Sequence, residues 1–361
     1  AYEGIRQDDR RERDQPGYGR CLLIDLEKRR IVKMGEQKKK KITFREFLLN
    51  YNAILILVVL IVLAAIVSPL FLTTNNIGTL LKQQAPYLVI AVGMMMVIIT
   101  AGIDLAAAGT VALASVVMVT VITSTGNTFL GLLASLGIGV LVGCFNGFFV
   151  AVTRMPSFIV TLALTYIAQG ICFMITKGNT LMLENGSPAY NSLVYPGFAS
   201  IALPLNIPIM ALVAIGIVII FYIIMKYTKF GRLVYAVGSN ENAVQLAGIN
   251  SKKIIFLVWV LEGLLCGVAS IFLVARTGNA SALTCSGDYA LSCVASVVIG
   301  GASLAGGEGS VPMTVVGVFV IALIGNIMNL VGMASYPQMV VKGAIIIFAV
   351  ILKGISSKKV S

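Results

Sequence analysis

The sequence predicts an all-α, polytopic membrane protein with about ten transmembrane helices, and three observations support this fold class. Of its 361 residues, 58% are hydrophobic and only 12% are charged. The mean hydropathy is +0.95. Soluble domains carry about 25% charged residues, so a soluble globule of this length could not bury so much apolar surface. The apolar residues also form runs of about 20, which is the length of a membrane-spanning helix.

Composition excludes several kinds of chemistry. The chain has no histidine, which removes Ser-His-Asp and Cys-His catalysis and most zinc sites. None of the six cysteines forms a C-x-x-C pair, and no G-x-x-x-x-G-K-[ST] phosphate loop is present, so the chain cannot hydrolyse ATP alone. We therefore expect a protein that is not an enzyme, with no catalytic residue, metal site, cofactor or nucleic-acid partner.

The polar start of the chain differs from the rest. Residues 1–33 are charged and aperiodic and contain no apolar signal-peptide core, which predicts a disordered or non-native extension. Arg29-Arg30 can be encoded by AGG-AGG, a bacterial ribosome-binding hexamer, shortly before Met34, which favours Met34 as the natural start. A genuine cytosolic tail is the alternative. Residues 34–52 then form a basic, aromatic lead-in segment at the membrane interface.

A single transmembrane domain is predicted over residues 53–355. Its helices are expected where apolar residues run for about the thickness of a bilayer. These runs cover residues 53–72, 77–100, 104–123, 129–152, 157–176, 206–225, 254–275, 288–304, 311–332 and 337–353.

Lysine and arginine positions predict the orientation. With an even number of crossings, the basic residues before the first run, around Arg154, between the sixth and seventh runs and after the last run all lie on one side. The positive-inside rule makes that side cytosolic, so both termini are cytosolic. The loop 177–205 carries a single lysine and faces outward. Its prolines and apolar residues predict a packed external cap or short re-entrant helices. The five glycines of 299–310 predict close backbone approach or a broken helix.

The basic loop between the sixth and seventh runs, residues 235–252, carries a distinctive pattern. A polar residue that can cap a short helix is followed by two alanines one turn apart and by a glycine that can end the helix. Small side chains would let this helix enter a groove of an ATPase partner; an ordinary basic loop is the alternative. The candidate coupling residues are Ser239, Asn240, Ala243, Ala247 and Gly248.

Several stretches carry a family resemblance over about residues 50–355. They read AGIDLAAAGTVALASVV at 101–117, CFNGFFVAVTRMPSFIVTLALTYIAQGICFMITKG at 144–178, FGRLVYAVGSNENAVQLAGINSKKI at 230–254, and ASVVIGGASLAGGEGSVPMTVVGVFVIALIGNIMNLVGMASYPQMVVKGAIII at 295–347. In order and spacing they resemble the ATP-binding-cassette importer permeases of the ribose, galactose, xylose and arabinose type.

The resemblance implies a permease subunit in the bacterial inner membrane that translocates a small polar solute, a monosaccharide. It also implies four kinds of neighbour: cytosolic ATPase subunits, a second permease subunit, an extracytoplasmic solute-binding protein and membrane lipid. A secondary transporter driven by an ion gradient is the alternative, but it predicts paired acidic relays in two halves. The sequence shows no such series.

Polar residues inside the apolar runs are candidates for the substrate pathway. Carboxylates at a helix centre cost about 2.5–3.5 kcal/mol on insertion scales. A helix-capping role for Asp104 and interhelical hydrogen bonds for the asparagines are the structural alternatives. Departures from the family pattern, including a glutamate where a small or apolar residue is usual, put the substrate rather than the fold in doubt. The candidates are Asp104, Asn146, Glu262 and Asn326.

Overall fold

A computed structural model describes the backbone of residues 52–283 and 288–357. The predicted extension 1–33 lies outside the described residues, as does the lead-in segment 34–52 except for its last residue. The described residues from Ala53 onward belong to one compact unit.

The described part of the chain is built from α-helices joined by short connections. A π-helical turn at Phe148–Val152 continues the helix Thr128–Gly147, and a 3₁₀ turn covers Pro204–Asn206. Four two-residue strands, β1 Leu181–Met182, β2 Ala202–Leu203, β3 Ile207–Pro208 and β4 Asn279–Ala280, form two small antiparallel pairs, β1 with β4 and β2 with β3. The helices are α1 Asn52–Val67, α2 Thr74–Ile99, α3 Ala107–Thr125, α4 Thr128–Gly147, α5 Ser157–Thr176, α6 Pro188–Leu193, α7 Ile209–Tyr227, α8 Lys229–Ser239, α9 Glu241–Leu246, α10 Ser251–Thr277, α11 Asp288–Ile299, α12 Val311–Leu330 and α13 Ser335–Ser357.

Each of the ten predicted apolar runs coincides with one of these helices. Within the described residues, seven helices are long and apolar enough to cross a membrane: α2, α3, α4 with its π-helical turn, α5, α7, α10 and α12. The apolar helices α1 and α11 are shorter. The mostly helical membrane fold is therefore confirmed, whereas the number of crossings stays a prediction.

The core of the unit is formed by α2 and α10. The second half of α2, residues 88–99, is wholly buried, and α10 packs against α2, α3 and α4. Contact between α4 and α10 is close enough to require glycine on both helices. A Cβ atom at Gly143 would lie 2.6 Å from the carbonyl oxygen of Trp259, and one at Gly267 would lie 2.9 Å from that of Ser135. Small residues at such crossings are typical of membrane helix packing.

Hydrogen bonds gather the helix connections into two groups at opposite ends of the helices. At one end, β1 pairs with β4, and Asn206 donates to the Oδ1 atom of Asn75 over 2.6 Å. At the other end, Arg154 pairs with Glu241, and Gly307 donates its N–H to the carbonyl oxygen of Ile99 over 2.9 Å. The long helices α2 and α10 each run from one group to the other.

The structure shows the detailed conformation of two predicted segments, the loop 177–205 and the run 288–304. The loop 177–205 contains α6 and buries Leu183, Ala189 and Leu193, so it is packed, as predicted. The run 288–304 is a helix only up to Ile299. The helix cannot continue because Gly301 has a φ of +95°, a backbone conformation that glycine adopts readily. The prediction of a longer span there was wrong.

A short α11 meets α2 near the middle of α2. The ring of Tyr289, at the start of α11, stacks on that of Tyr87 with 4.5 Å between centroids. The thiol of Cys293 approaches the carbonyl oxygen of Tyr87 at 3.9 Å. Since Tyr87 lies halfway along α2, α11 covers only the half of the bundle that ends in the glycine-rich segment.

Candidate functional site

The predicted coupling segment contains two helices rather than one. The sequence prediction missed α8, whose last residue is Ser239, so Ser239 does not cap the short helix. Asn240 does: its backbone is extended, and its Oδ1 atom accepts the N–H of Ala243 over 2.9 Å. The short helix α9 therefore starts at Glu241, where an Asn cap satisfies a free amide.

Gly248 ends α9, as the sequence predicted. Its φ is +78°. The N–H of Gly248 reaches the carbonyl oxygen of Gln245 over 2.9 Å, and the N–H of Ile249 reaches that of Val244 over 3.2 Å. These two bonds form a Schellman motif, which turns the chain sharply at a left-handed glycine.

The geometry of this turn leads to a prediction for Gly248. Replacement by valine forces a β-branched residue to a positive φ, which costs about 1–2 kcal/mol locally. We expect Gly248→Val to change the path between α9 and α10 and to weaken ATPase coupling, whereas Gly248→Asn is tolerated since Asn adopts this conformation. Measuring substrate-stimulated ATP hydrolysis of the assembled transporter compares the two; equal loss in both, or in neither, contradicts the prediction.

One side of α9 is anchored and the other is open. Val244 is buried, but Ala243 and Ala247 are exposed and Leu246 has 89% of its surface exposed. Ala243 and Ala247 lie four positions apart and so on one face. The result is a short helix that presents small and apolar residues on its open side.

Glu241, which the sequence analysis did not single out, fixes α9 to its neighbours. Its Oε2 atom lies 2.7 Å from Nη1 of Arg154, and its Oε1 atom accepts hydrogen bonds from Ser251 over 2.7 Å and from Gln245 over 3.1 Å. The hydrogen bond from Arg154 lowers the pKa of Glu241 below its ordinary value. The pair therefore stabilises the folded state at neutral pH and is lost as pH falls and the carboxylate takes up a proton.

The glycine-rich segment packs against the end of α8. A Cβ at Gly307 would lie 3.0 Å from the Cα of Ser239, and Tyr235 on α8 donates its hydroxyl to the carbonyl oxygen of Gly309 over 2.8 Å. The sequence predicted either close backbone approach or a broken helix for 299–310, and at this contact the structure shows close backbone approach. The segment links α8 to the end of α2.

Among the intramembrane candidates, Asp104 and Glu262 are both buried in the core. Asp104 accepts the N–H of Ala106 over 2.7 Å just before α3, in agreement with a role at the helix start. Glu262 is fully buried on α10, and its Oε1 atom accepts a hydrogen bond from the thiol of Cys266 over 3.7 Å.

Glycine at position 93 makes room for the glutamate. A side chain at Gly93 of α2 would collide with the carboxyl group of Glu262. The Oε2 atom of Glu262 has no hydrogen-bond partner among the described residues. A buried polar atom left without a partner costs about 1–3 kcal/mol, so this side chain is kept at the expense of stability.

Asn146 and Asn326 have different environments. Asn146 is buried on α4, and among the described residues its Oδ1 atom has no partner. It lies between Gly143 and Gly147, which pack on Trp259 of α10. Asn326 lies apart from these residues, near the other end of α2, and exchanges two side-chain hydrogen bonds with Asn76, of 2.9 and 3.2 Å. The structure thus gives Asn326 the interhelical hydrogen bond that was its structural alternative.

Comparison with known protein families gives a match over most of the chain. Residues 76–350 match a family model described as the permease component of the branched-chain amino acid transport system. The chain belongs to this permease family. The match covers α2 to α12 and part of α13.

Several curated permeases are similar over nearly their whole length. The ribose import permease protein of Escherichia coli strain K12 is 34% identical over 311 residues, which is 85% of this chain and 94% of that protein. The D-allose transport system permease protein of the same organism is 31% identical over 91% of this chain and 98% of its own length. The L-arabinose transport system permease protein is 31% identical over 87% and 93%. No solved structure matches. As a member of this family, the permease is a transport subunit located in the inner membrane.

The unpartnered oxygen of Glu262 gives a prediction that separates stability from transport. Replacement of Glu262 by methionine, which is similar in length and has no polar oxygen, is expected to stabilise the permease by about 1–3 kcal/mol while reducing transport. Glu262→Gln keeps a polar group and should show the smaller gain in stability. Thermal unfolding in detergent and solute uptake measure the two effects; unchanged uptake with Met would show that the carboxyl group has no part in transport.

Proposed function

We propose that this permease is the membrane-spanning subunit of an ATP-binding-cassette importer that translocates a monosaccharide. The observation that carries the proposal is the similarity to ribose, allose and arabinose permeases over most of each chain. The solute is delivered by an extracytoplasmic solute-binding protein, two permease subunits form the pathway, and cytosolic ATPase subunits supply the energy. The permease itself lacks a phosphate loop, so hydrolysis belongs to the partner chain.

The contact with the ATPase is assigned to α9. Its exposed face of Ala243, Leu246 and Ala247 supports docking in a groove, since small residues allow close approach and Leu246 supplies apolar surface. Asn240 and Gly248 define the two ends of the helix. Glu241 is bonded to Arg154, just before α5, and to Ser251, at the start of α10. A displacement of α9 would therefore be transmitted directly to the starts of these two helices. Ser239, the last residue of α8, packs closely on Gly307 and so helps to fix the position from which α9 starts.

The substrate pathway is assigned to the side of α10 that meets α2, α3 and α4. Asp104, Asn146 and Glu262 lie in this region, and two of them have buried oxygens without a partner in the described part of the chain. Such oxygens are available to a hydroxyl-rich solute once the helices separate. Asn326, bonded to Asn76, is left out of this pathway.

Ten crossings with both ends in the cytosol belong to the proposal. The segregation of helix connections into two groups supports it, because α9 and Arg154 share one end while α6 and β1–β4 share the other. Lysines and arginines are concentrated at the end that holds α9 and Arg154, as the positive-inside rule requires of the cytosolic side.

A labelling experiment tests this orientation. In a cysteine-free background, Asn191→Cys and Asn242→Cys introduce thiols at exposed positions on α6 and on α9. An impermeant maleimide applied to intact cells is expected to label position 191 and to label position 242 only after the cells are opened. The reverse pattern would overturn the assignment of α9 to the cytosol.

The function itself is tested by reconstitution. The permease is expressed with an ATPase of the ribose-transporter class and a ribose-binding protein, and uptake of labelled ribose, allose and arabinose into vesicles is measured. We expect uptake that needs ATP and the binding protein. Uptake by the permease alone that follows a sodium or proton gradient would instead establish the secondary transporter; ATP-driven uptake of an amino acid and of none of the sugars would refute the monosaccharide.

A further inference from the structure

The start of α10 borders a groove that the proposed function does not use. The groove has a volume of about 430 Å³, within the range of about 300–1,000 Å³ for ligand pockets. It lies where the π-helical turn after α4 meets α10. Its wall is apolar, and its mouth is basic. The lining residues are Val152, Asn250, Lys252, Lys253, Phe256 and Leu257.

The two lysines lie at the end of α10 where the helix dipole disfavours positive charge. Lys252 and Lys253 lie in the first turn of α10, which has no acidic residue. The positive end of the helix dipole favours negative charge there and disfavours cations. Both side chains are exposed, and within the described ranges neither forms a salt bridge. A negatively charged group at the mouth of the groove would balance both the lysines and the dipole.

We propose that this groove binds one anionic phospholipid. The phosphate lies between Lys252 and Lys253, and an acyl chain follows the apolar wall of Val152, Phe256 and Leu257. Membrane orientation alone requires lysines on this loop but no groove beneath them, whereas basic pockets between membrane helices are suited to anionic headgroups. Ser251, next to Lys252, is bonded to Glu241, so the bound headgroup lies at the base of α9.

The test compares two lipids with identical acyl chains, palmitoyl-oleoyl phosphatidylglycerol and phosphatidylcholine. The full chain is purified in detergent, incubated with each lipid and analysed by native mass spectrometry. We expect one phosphatidylglycerol bound and no comparable retention of phosphatidylcholine. Lysines near a membrane surface contribute about 1 kcal/mol each, so Lys252→Ala/Lys253→Ala is expected to lower the affinity for phosphatidylglycerol about thirtyfold.

Two further variants separate a site from general charge attraction. Leu257→Trp fills the groove without altering charge and should remove the bound lipid as well; its exposed position leaves the helix packing intact. Lys229→Ala/Arg232→Ala removes the same charge from α8, outside the groove, and should retain the lipid. Equal loss in this control, retention of phosphatidylglycerol by Leu257→Trp, or equal binding of the two lipids would each overturn the proposal. None of these outcomes depends on the ATPase or the sugar.

Discussion

Ala243→Trp is expected to abolish coupling between the permease and the ATPase subunit proposed as its partner. Ala243 is exposed on the open face of α9, one turn from Ala247. An indole there cannot enter a groove shaped for a methyl group. We expect at least a tenfold loss of substrate-stimulated ATP hydrolysis or of ATPase association, which corresponds to about 1.4 kcal/mol or more. The measurement is hydrolysis by the purified assembly with and without solute-loaded binding protein.

The permease itself should be unaffected by this change. Because Ala243 contributes its N–H rather than its side chain to the cap of α9, the variant should have wild-type expression and thermal stability. Ala243→Ser, which stays small, is the matched control and should couple normally. If Ala243→Trp assembles and transports as the wild type does, α9 is not the coupling element.

The second large effect is expected where α4 crosses α10. At Gly139, a Cβ atom would collide with the carbonyl oxygen of Gly263, and the backbones have no room to adjust without separating. Gly139→Val should therefore destabilise the permease by about 3 kcal/mol, the upper end of the usual range for overpacking. The readout is the fraction of protein that remains monodisperse in detergent after heating.

Gly137 provides the control on the same helix. It is exposed, and a Cβ atom at that position meets nothing within 4 Å. Gly137→Val changes helix propensity in the same way as Gly139→Val but leaves the crossing untouched. Similar losses in the two variants would show that valine in α4, and not the contact with α10, is the cause.

Hydropathy predicted the helices well because length and apolar content are local properties of the chain. It failed for the run 288–304, since no average over apolar residues registers that the backbone turns at Gly301. It also missed α8, which lies wholly between two apolar runs. The cap and the end of α9 were predictable from Asn240 and Gly248, whose roles depend on neighbours within a few residues.

The contacts that the sequence could not indicate join distant segments. Arg154 and Glu241 are 87 positions apart, and the space for Glu262 comes from a glycine on another helix. Each of these residues has an ordinary local environment, so only the packing of helices shows what it contacts. Asn326 illustrates the opposite case: a polar residue in an apolar run drew attention, and its partner Asn76 explains it.

The π-helical turn at Phe148–Val152 has a consequence for chain length. Its wider hydrogen bond, from Thr153 to the carbonyl oxygen of Phe148 at 3.3 Å, accommodates one more residue than an α-helix would hold in the same length. Deletion of a single residue here would let the turn close as an ordinary α-helix of the same length, and Arg154 would stay opposite Glu241. A residue inserted into the regular part of α4 would instead turn everything beyond it by about 100° around the helix axis, and Arg154 would then face away from Glu241. The π-helical turn thus sets the rotational phase between α4 and the corner that holds Arg154.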